Sequence, residues 1–247
     1  MTSPSQETSA TIGGAAPVAG APSPSSAAAL GPRDAEFWRQ RWRDGQTGWD
    51  QGKAHADLAM LESVARARGH LTQGARILEP AAGRAHASAA LARLGYDVTA
   101  FDVAPEAMAA AAAEHGVLPG LTLMVADALV VRPSWLGAFA AVYDRAALCA
   151  LPPELRPTYI ATLHAHLREG GALLTIPFTE IRAEPDGTTR AGPPFALAAR
   201  DFATLLAPLF TLELVVEREV PGPDRIAKEA AMLWIKRAQP FEGSATS

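Results

Sequence analysis

Between residues 75 and 176, short apolar segments alternate with helical segments, and this alternation constrains the fold more than any other feature of the chain. Strands joined by helical crossovers lie parallel in one sheet, with helices covering both of its faces. The pattern predicts strands over 75–79, 97–101, 121–125, 138–143 and 171–176, and helices over 86–94, 104–114 and 153–168.

The two ends of the chain extend this alternating unit. Before it, Asp34 can cap a helix that carries Trp38 and Trp42 on one face, and a second helix is predicted over 54–68. After it, a predicted helix precedes two strands that are joined by a loop, with limits at 199–206, 210–217 and 229–236. We therefore predict an α/β domain with a mostly parallel seven-stranded sheet and an antiparallel edge strand.

A turn of small residues follows the first predicted strand, in the sequence Glu79-Pro-Ala-Ala-Gly83-Arg-Ala85. Small residues let backbone N–H groups approach a ligand, and the following helix offers its positive N-terminal end. Asp102 lies 19 residues after Gly83, and a carboxylate at roughly 20 residues from such a turn suits a ribose diol. This spacing indicates an adenosine-type cofactor. It need not be a dinucleotide, because the GxGxxG pattern is absent.

Four carboxylates, those of Glu79, Asp102, Asp127 and Asp144, lie at or just past the carboxyl ends of predicted strands. Ligands of open parallel sheets bind at that edge. Any one aspartate there could instead cap the following helix. Desolvating all four at one edge without a ligand would be costly, so the set favours a crevice for a polar ligand.

Charge and cysteine content exclude several classes of function. The chain has 26 acidic and 22 basic residues and no basic stripe, so we expect no nucleic-acid partner. A single cysteine, Cys149, cannot form an internal disulfide and indicates a reducing compartment, which we take to be the cytoplasm. No apolar stretch approaches ~20 residues, and no secretory signal is evident, so we expect no association with a membrane.

The composition also predicts how the chain is divided. Residues 1–32 are mostly Ala, Ser, Pro, Gly and Thr, and we predict a disordered tail because such a segment cannot bury enough surface to offset its ordering entropy. The domain is predicted over 33–238, with a helical lid over 34–52, and a flexible C-terminus over 239–247. We expect this domain to act as a monomer on a small molecule.

Motifs spread over roughly residues 36–237 carry a resemblance to a known family. They are Phe37-Trp38-Arg-Gln-Arg-Trp42, Gly48-Trp49-Asp50-Gln51-Gly52, Ile77-Leu-Glu-Pro-Ala-Ala-Gly83, Tyr143-Asp144-Arg145-Ala-Ala-Leu148, Ala150-Leu-Pro-Pro-Glu-Leu-Arg156 with Tyr159, and Gly192-Pro193-Pro194-Phe195. The glycine turn is common to many nucleotide-binding folds, whereas the other motifs in this order are specific. The chain resembles the thiopurine S-methyltransferases and their thiol and halide methyltransferase relatives, which are class I S-adenosylmethionine-dependent methyltransferases with a Rossmann-like sheet.

The resemblance implies a role for each matching residue. Three tryptophans match aromatic positions of an N-terminal lid over bound S-adenosylmethionine, namely Trp38, Trp42 and Trp49. The other matches imply Gly83 beside the methionine portion, Asp102 at the ribose hydroxyls, Asp127 and Ala128 at the adenine, and Asp144 and Arg145 between the methionine end and the acceptor. Three further residues fall where the family lines its acceptor side: Tyr159, Phe195 and Arg225.

The implied activity is methyl transfer to a small soft nucleophile, a thiol or a thiopurine sulfur. A thiolate needs little help from a base, so we assign no catalytic base and expect proximity, alignment and desolvation to supply the catalysis. The loop around Trp49 resembles the thiol and halide branch, whereas Asp144-Arg145 resembles the thiopurine branch. Acceptors with a halide, metalloid, oxygen or nitrogen atom are therefore alternatives.

Ala81 and Ala85 depart from the family pattern in the turn. Alanine is the mildest replacement for glycine, and a turn at negative φ would tolerate it. The departure motivates a second alternative, a catalytically silent module that only binds the cofactor. We interpret His86, at the start of the next helix, as a polar packing residue.

Overall fold

The computed structural model describes residues 31, 34–183, 192–221 and 226–238. Its strands are β1 (Arg76–Pro80), β2 (Asp97–Asp102), β3 (Leu121–Val125), β4 (Phe139–Arg145), β5 (Leu167–Ile176), β6 (Phe178–Ile181), β7 (Phe210–Glu219) and β8 (Ile226–Lys236). Its helices are α1 (Ala35–Arg43), α2 (Asp57–Ala67), α3 (His86–Arg93), α4 (Pro105–His115), α5 (Ala147–Ala150), α6 (Arg156–His166) and α7 (Ala199–Leu206).

Five parallel strands form the centre of the sheet, in the order β3-β2-β1-β4-β5. β1 pairs with β2 over its full length and with β4 through Ile77 and Leu78. The strand order reverses between β1 and β4, and at such a point a crevice opens at the carboxyl ends of the strands. The predicted α/β class with a mostly parallel sheet is confirmed.

The antiparallel part of the sheet differs in detail from the prediction. Pro177 interrupts β5, because proline cannot donate a ladder hydrogen bond, and the chain resumes as β6, which the sequence pattern does not predict. β8 pairs with β5 and β6 on one side and with β7 on the other. The described sheet therefore has eight strands rather than seven. The antiparallel β8, with residues 229–234 buried, lies inside it, and β7 forms the edge.

Alternating side chains along the strands build a separate apolar cluster on each face of the sheet. Leu78 and Val142 pack with α6 and α7 on one face, whereas Ile77 and Ala141 pack with α2 and α3 on the other. Helices therefore cover both faces, as predicted. The two clusters fix the central strands, so the residues at their carboxyl ends have a rigid support.

Some helix limits differ from the prediction. The predicted helix over 153–168 is a 3-10 turn at Pro153–Leu155 followed by α6, and its last two residues already belong to β5. The short α5 is absent from the predicted pattern. Asp34 precedes α1 as predicted, but its side chain does not cap the helix and instead accepts the backbone N–H of Gly31 at 2.9 Å.

The turn between β1 and α3 has a left-handed backbone at three positions. The φ angle is 50° at Ala81, 56° at Gly83 and 55° at Ala85. The condition under which alanine would be tolerated without strain, a negative φ, is therefore not met at Ala81 and Ala85. A left-handed conformation brings Cβ close to the following carbonyl oxygen and costs about 1–2 kcal/mol per residue. The turn is nevertheless closed by a hydrogen bond from the N–H of Ala85 to the carbonyl of Ala82 (2.8 Å), and the Ala85 methyl is fully buried against α4.

We predict that Ala81→Gly raises the free energy of unfolding by about 0.5–1 kcal/mol, because it relieves backbone strain at an exposed position and loses little packing. Urea denaturation of the two proteins measures the difference. Ala85→Gly is the matched control, since it relieves the same strain but removes a buried methyl and should give no net gain. An equal loss of stability in both variants would show that Ala81 is not strained.

Candidate active site

A cavity of about 840 Å³ opens at the carboxyl ends of the central strands, and residues 34–52, which we call the N-terminal segment, form one of its walls. Ligand pockets in proteins usually enclose roughly 300–1,000 Å³. Eight of the residues predicted from the sequence line this cavity: Trp38, Trp42, Trp49, Asp102, Asp127, Ala128, Arg145 and Tyr159. The topology thus brings together residues that are more than a hundred positions apart in the chain.

The other four predicted residues do not line the cavity in the part of the chain that the structure describes. Arg225 lies outside the described residues. Gly83 forms the turn behind Trp42, and Asp144 is buried at the end of β4. Phe195 is half-buried next to the cavity, with its neighbours Pro193 and Pro194 in the wall.

The Gly-Pro-Pro-Phe motif is fastened to the end of α5 through backbone groups. The N–H of Phe195 donates to the carbonyl of Cys149 at 2.6 Å, and the carbonyl of Phe195 accepts a hydrogen bond from Arg156 at 2.7 Å. These contacts hold the two prolines against the cavity. They also explain why Cys149 is buried, and burial raises the pKa of its thiol to about 12.

Asp102 connects the end of β2 to the turn that follows β1. Its Oδ2 accepts the N–H of Gly83 at 3.1 Å, and its Oδ1 accepts the N–H of Ala104 at 2.9 Å. Burial raises the pKa of this carboxyl group, and the two backbone donors oppose that rise. A carboxylate offers about four acceptor positions. Asp102 therefore keeps acceptor capacity for a diol in the cavity.

Glu79 and Asp144 hold the first turns of the helices that follow their strands. Glu79 accepts the N–H of Ser88 at 2.9 Å and also its hydroxyl, and burial raises the pKa of Glu79 to about 7. Asp144 accepts the N–H of Ala147 at 3.0 Å, and burial raises its pKa to about 6. Both carboxylates thus make the helix-start contacts that are the alternative to direct ligand binding. A cation in the adjoining cavity would favour their ionised forms.

Asp127 and Ala128 line the part of the cavity that follows β3. The Asp127 side chain is exposed, and its Oδ1 accepts the N–H of Leu129 at 2.8 Å. Ala126 and Ala128 leave apolar surface beside it. A flat polar ring can therefore lie between small side chains with one carboxylate at its edge.

Three tryptophans of the N-terminal segment form an aromatic wall. The Trp49 ring meets the rings of Trp38 and Trp42 edge to face, with centroids 5.8 Å and 6.2 Å apart. Trp42 also covers the turn between β1 and α3, which we call the cofactor turn after its predicted role, since a Cβ added to Gly83 would lie 3.5 Å from the Trp42 ring. No residue of α1 is fully buried. All three tryptophans line the cavity, and Trp42 also packs against the small apolar cluster around α4.

Polar contacts attach the N-terminal segment to the rest of the domain. Asp50 pairs with Arg84 at 2.7 Å and with His86 at 3.2 Å, both beside the cofactor turn. Arg43 of α1 pairs with Glu106 of α4 at 3.1 Å. Arg145 reaches the segment from the opposite side and donates to the carbonyl of Trp49 at 3.3 Å. The wall over the cavity is thus held by charged and polar contacts together with the packing of Trp42 against the cluster around α4.

Arg145 is a free cationic group at the cavity among the described residues. Its guanidinium lies 5.5 Å from the ring centroid of Phe178 and forms no ion pair in that part of the chain, and its buried Nε has no hydrogen-bond partner there. A buried donor without a partner is costly, so the group is suited to an anionic part of a ligand.

Comparison with known proteins decides the family. The family model described as thiopurine S-methyltransferase matches residues 33–239. The chain is 30% identical over 203 residues to the thiopurine S-methyltransferase of Xanthomonas campestris pv. campestris, covering 76% of this chain and 88% of that one. It is also 30% identical over 220 residues to the enzyme of the same name from Pseudomonas paraeruginosa, covering 83% and 96%. The chain belongs to the thiopurine S-methyltransferase family.

A solved structure supports the fold. The 1,6-didemethyltoxoflavin-N1-methyltransferase of Burkholderia thailandensis, with bound 1,6-didemethyltoxoflavin and S-adenosylhomocysteine, superposes with a TM-score of 0.62 at 22% identity, covering 87% of this chain and 94% of that one. Family and fold together make this chain an S-adenosylmethionine-dependent methyltransferase, in a family named for transfer to sulfur. The predicted family, enzyme class and cofactor are confirmed. Within the described residues, no helix is long and apolar enough to cross a membrane.

This family member has a polar pair in its cavity wall that sequence reasoning missed. Glu229 of β8 lines the cavity, and its Oε1 lies 2.6 Å from Nε2 of His55. The Nδ1 of His55 accepts the N–H of Asp57 at 3.1 Å, so Nε2 carries the proton that is donated to Glu229. Glu229 is an acidic residue at the start of an apolar strand, and this was the available signal. Its partner lies 174 residues away and could not be inferred.

We predict that stability falls as the pH rises towards 7, because of Glu79. The ordinary pKa of 4.5 is raised to about 7 in the fold, so the folded state binds the proton more tightly and loses up to about 3 kcal/mol of stability as pH rises through this window. Urea denaturation between about pH 6 and pH 8 isolates Glu79 from Asp144, whose window is lower. Glu79→Gln should flatten this dependence. An unchanged slope in the variant would contradict the assignment.

Proposed function

We propose that the protein transfers a methyl group from S-adenosylmethionine to the sulfur of a small thiol or thiopurine. One observation carries the proposal. A single cavity extends from the Asp102 carboxylate, beside the cofactor turn, to a region lined by the apolar Phe178 and Ile226 and the polar Glu229. A cofactor and a small acceptor can therefore meet inside one enclosed space. The names of the related enzymes support sulfur as the acceptor atom.

The residues at the cofactor end fit the proposed roles. Asp102 would accept the ribose hydroxyls, since its oxygens keep acceptor capacity beyond Gly83 and Ala104. Asp127 and Ala128 would border the adenine ring. In this arrangement Gly83 acts through its backbone, by fixing Asp102, and not by lining the cavity.

The methionine end would lie near Arg145. Its guanidinium can form a charge-assisted hydrogen bond to the cofactor carboxylate or to an anionic acceptor. Asp144 would act indirectly, by holding the first turn of α5 beside this end of the cavity. Because Asp144 is buried, it is better suited to the capping contact that it already forms than to direct contact with a ligand.

When bound, S-adenosylmethionine supplies an electrophilic methyl group on a sulfonium cation, which an acceptor sulfur takes in one displacement. The faces of Trp38, Trp42 and Trp49 would attract this cation, a contact worth about 0.5–2 kcal/mol per ring. The same rings would exclude water, which otherwise solvates and slows a thiolate. We therefore propose that the N-terminal segment is a lid.

The acceptor end offers Phe178, Tyr159 and the Gly-Pro-Pro-Phe segment as apolar surface, with Glu229 as its polar group. We propose that the carboxylate of Glu229 takes up the proton that the methyl acceptor loses, either from a thiol S–H or from a ring N–H. His55 would position the carboxylate by donating from Nε2. An acceptor that is already a thiolate needs only alignment, so no base is required for it.

The acceptor is tested by transfer of a labelled methyl group to matched pairs of compounds, such as a thiopurine with its oxygen analogue and an aryl thiol with the phenol. We expect transfer to the sulfur compound of each pair and little to the oxygen compound. Iodide and tellurite test the halide and metalloid alternatives, and preference for either would overturn the sulfur proposal. Binding of the cofactor with transfer to none of these acceptors would favour the silent module.

Two variants assign the ends of the cavity in the same assay. Asp102→Ala should weaken cofactor binding by about 1–3 kcal/mol for every acceptor, because the ribose hydroxyls lose a charged partner. Glu229→Gln should leave cofactor binding unchanged and slow transfer to an alkyl thiol more than to an aryl thiol, which ionises more readily. Equal losses for both thiols would contradict a role of Glu229 in proton acceptance.

We predict that Trp42→Ala lowers kcat/KM at least about tenfold while it costs less stability than the loss of a fully packed tryptophan, because Trp42 covers the cavity and is only partly buried, against the small cluster around α4. Trp135→Ala is the matched control. Trp135 is buried in the apolar cluster that includes Leu78 and Val142, so its loss should cost about 3–5 kcal/mol of stability. Binding of the cofactor should also protect amides of residues 34–52 from hydrogen exchange. Lid exchange that is indifferent to cofactor would contradict closure.

We further propose that the folded domain spans residues 33–238, flanked by a disordered tail at 1–32 and a flexible C-terminus at 239–247, and that it acts as a monomer in the cytoplasm without a nucleic-acid partner. The limits of the family match, 33–239, support the domain limits. The formal net charge of −4 supports the absence of a nucleic-acid partner, and the single, buried Cys149 supports a cytoplasmic location. Light scattering of the purified chain tests the oligomeric state, and deletion of residues 1–32 tests the tail.

A further inference from the structure

A cluster of nitrogen and oxygen donors lies outside the cavity, where α3 and α4 meet the N-terminal segment. It consists of His86 at the start of α3 with Glu114 and His115 at the end of α4. One donor atom from each of the three side chains lies within 4.8 Å of the other two. We propose that this cluster is a binding site for a divalent transition-metal ion of the Zn²⁺ type.

The hydrogen bonds of the two histidines leave one ring nitrogen of each available as a ligand. Nε2 of His115 lies 2.8 Å from the carbonyl oxygen of Arg84. Since a carbonyl can only accept, Nε2 carries the proton and Nδ1 of the neutral ring keeps its lone pair. Nε2 of His86 lies 3.2 Å from Oδ1 of Asp50, which likewise places a proton on Nε2. Both rings therefore have the tautomer in which Nδ1 can bind a metal.

The arrangement also matches the outer contacts of known metal sites. A histidine that binds a metal usually donates its other N–H to a carboxylate or a backbone carbonyl, which fixes the ring. His86 has the carboxylate of Asp50 in that position, and His115 has the carbonyl of Arg84. Both supporting contacts are already formed.

The distances are close to those that a small metal ion requires. Tetrahedral Zn²⁺ with bonds of about 2.0–2.1 Å holds its ligands roughly 3.4 Å apart. Nδ1 of His86 is 3.3 Å from Oε1 of Glu114, and in the neutral tautomer this contact places two lone-pair donors at the separation that a metal ion would bridge. The remaining separations of up to 4.8 Å require only small side-chain rotations.

The donor set selects the kind of ion. Two imidazoles with one carboxylate suit Zn²⁺, Co²⁺, Ni²⁺ or Cu²⁺, whereas Mg²⁺ and Ca²⁺ prefer oxygen ligands. Arg84 opposes binding, because its guanidinium lies 3.9 Å from Glu114 and 2.7 Å from Asp50. We therefore expect an exchangeable site of moderate affinity, which keeps a position open for water.

A metal here would act on the neighbouring cavity through Asp50. Asp50 belongs to the N-terminal segment and lines the cavity, while the cluster holds the ends of α3 and α4. Bound metal would therefore fasten the segment beside the cofactor turn. This inference does not depend on the proposed acceptor, because metal binding is measured without cofactor or acceptor.

The test is titration of the untagged full chain with Co²⁺, followed by its displacement with Zn²⁺. We expect one equivalent of Co²⁺ to produce the visible d–d absorption bands of a cobalt ion bound in a low-symmetry site. Added Zn²⁺ should displace the cobalt and abolish these bands. His86→Ala and His115→Ala should each weaken binding at least about tenfold. Asp50→Asn should keep one site but weaken it by about 10–100-fold. His70→Ala is the matched control and should bind normally, because His70 also lies beside a carboxylate, Glu213 at 3.2 Å, but belongs to no donor cluster among the residues that the structure describes.

Three results would overturn the proposal: no saturable binding of Co²⁺ or Zn²⁺, equal binding in the His86 and His115 variants, or equal loss in the His70 variant. Ring resonances of the unmodified chain give an answer even if a variant fails to fold. We expect Zn²⁺ to shift the signals of His86 and His115 together. If those signals respond only to pH, His86 is an imidazolium held between two carboxylates and the cluster is an ion-pair clamp.

Discussion

The two hydrogen bonds that Asp102 accepts, from Gly83 and from Ala104, are the interaction on which the site depends. The bond from Gly83 connects the end of β2 to the turn after β1, and the bond from Ala104 fixes the carboxylate on its own loop, so that the two central strands share one rigid edge. A buried carboxylate is costly unless it is hydrogen-bonded, and here the backbone supplies the donors. The turn therefore positions the carboxylate, and the carboxylate in turn stabilises the turn.

This interdependence explains how the turn tolerates alanine where φ is positive. The strain at Ala81 and Ala85 amounts to about 1–2 kcal/mol each, and it is offset by contacts that require this backbone. These include the N–H of Gly83 directed at Asp102, the helix start held by Glu79, and the Ala85 methyl packed against α4. At Gly83 a Cβ would make only ordinary van der Waals contact with the Trp42 ring, at 3.5 Å, so the cost of replacing Gly83 by alanine lies in its positive φ of 56°.

The sequence predicts those parts of the fold that are governed by local periodicity. The central strands and the two-faced packing follow from apolar patterns, and Asp102 follows from a fixed spacing. Features that depend on tertiary contacts are missed: β6 forms because β8 offers a partner beyond Pro177. Asp34 is misjudged for a local reason, because its carboxylate accepts the N–H of Gly31, three residues earlier, instead of capping its helix. The pairing of His55 with Glu229 spans most of the chain and has no local signal. The roles of the other cavity residues are implied by the family resemblance alone and stay predictions.

The way in which the N-terminal segment is held separates its contribution to stability from its contribution to the site. Burial of apolar surface holds the central helices, and none of α1 is fully buried. The attachments of the N-terminal segment include partly exposed ion pairs, such as Arg43 with Glu106 and Asp50 with Arg84. Such pairs contribute about 0–1 kcal/mol each. Opening the segment should therefore cost little, whereas a cation between its tryptophans would add an attraction that exists only in the closed state. This asymmetry lets the segment admit ligands without loosening the sheet that carries the polar groups.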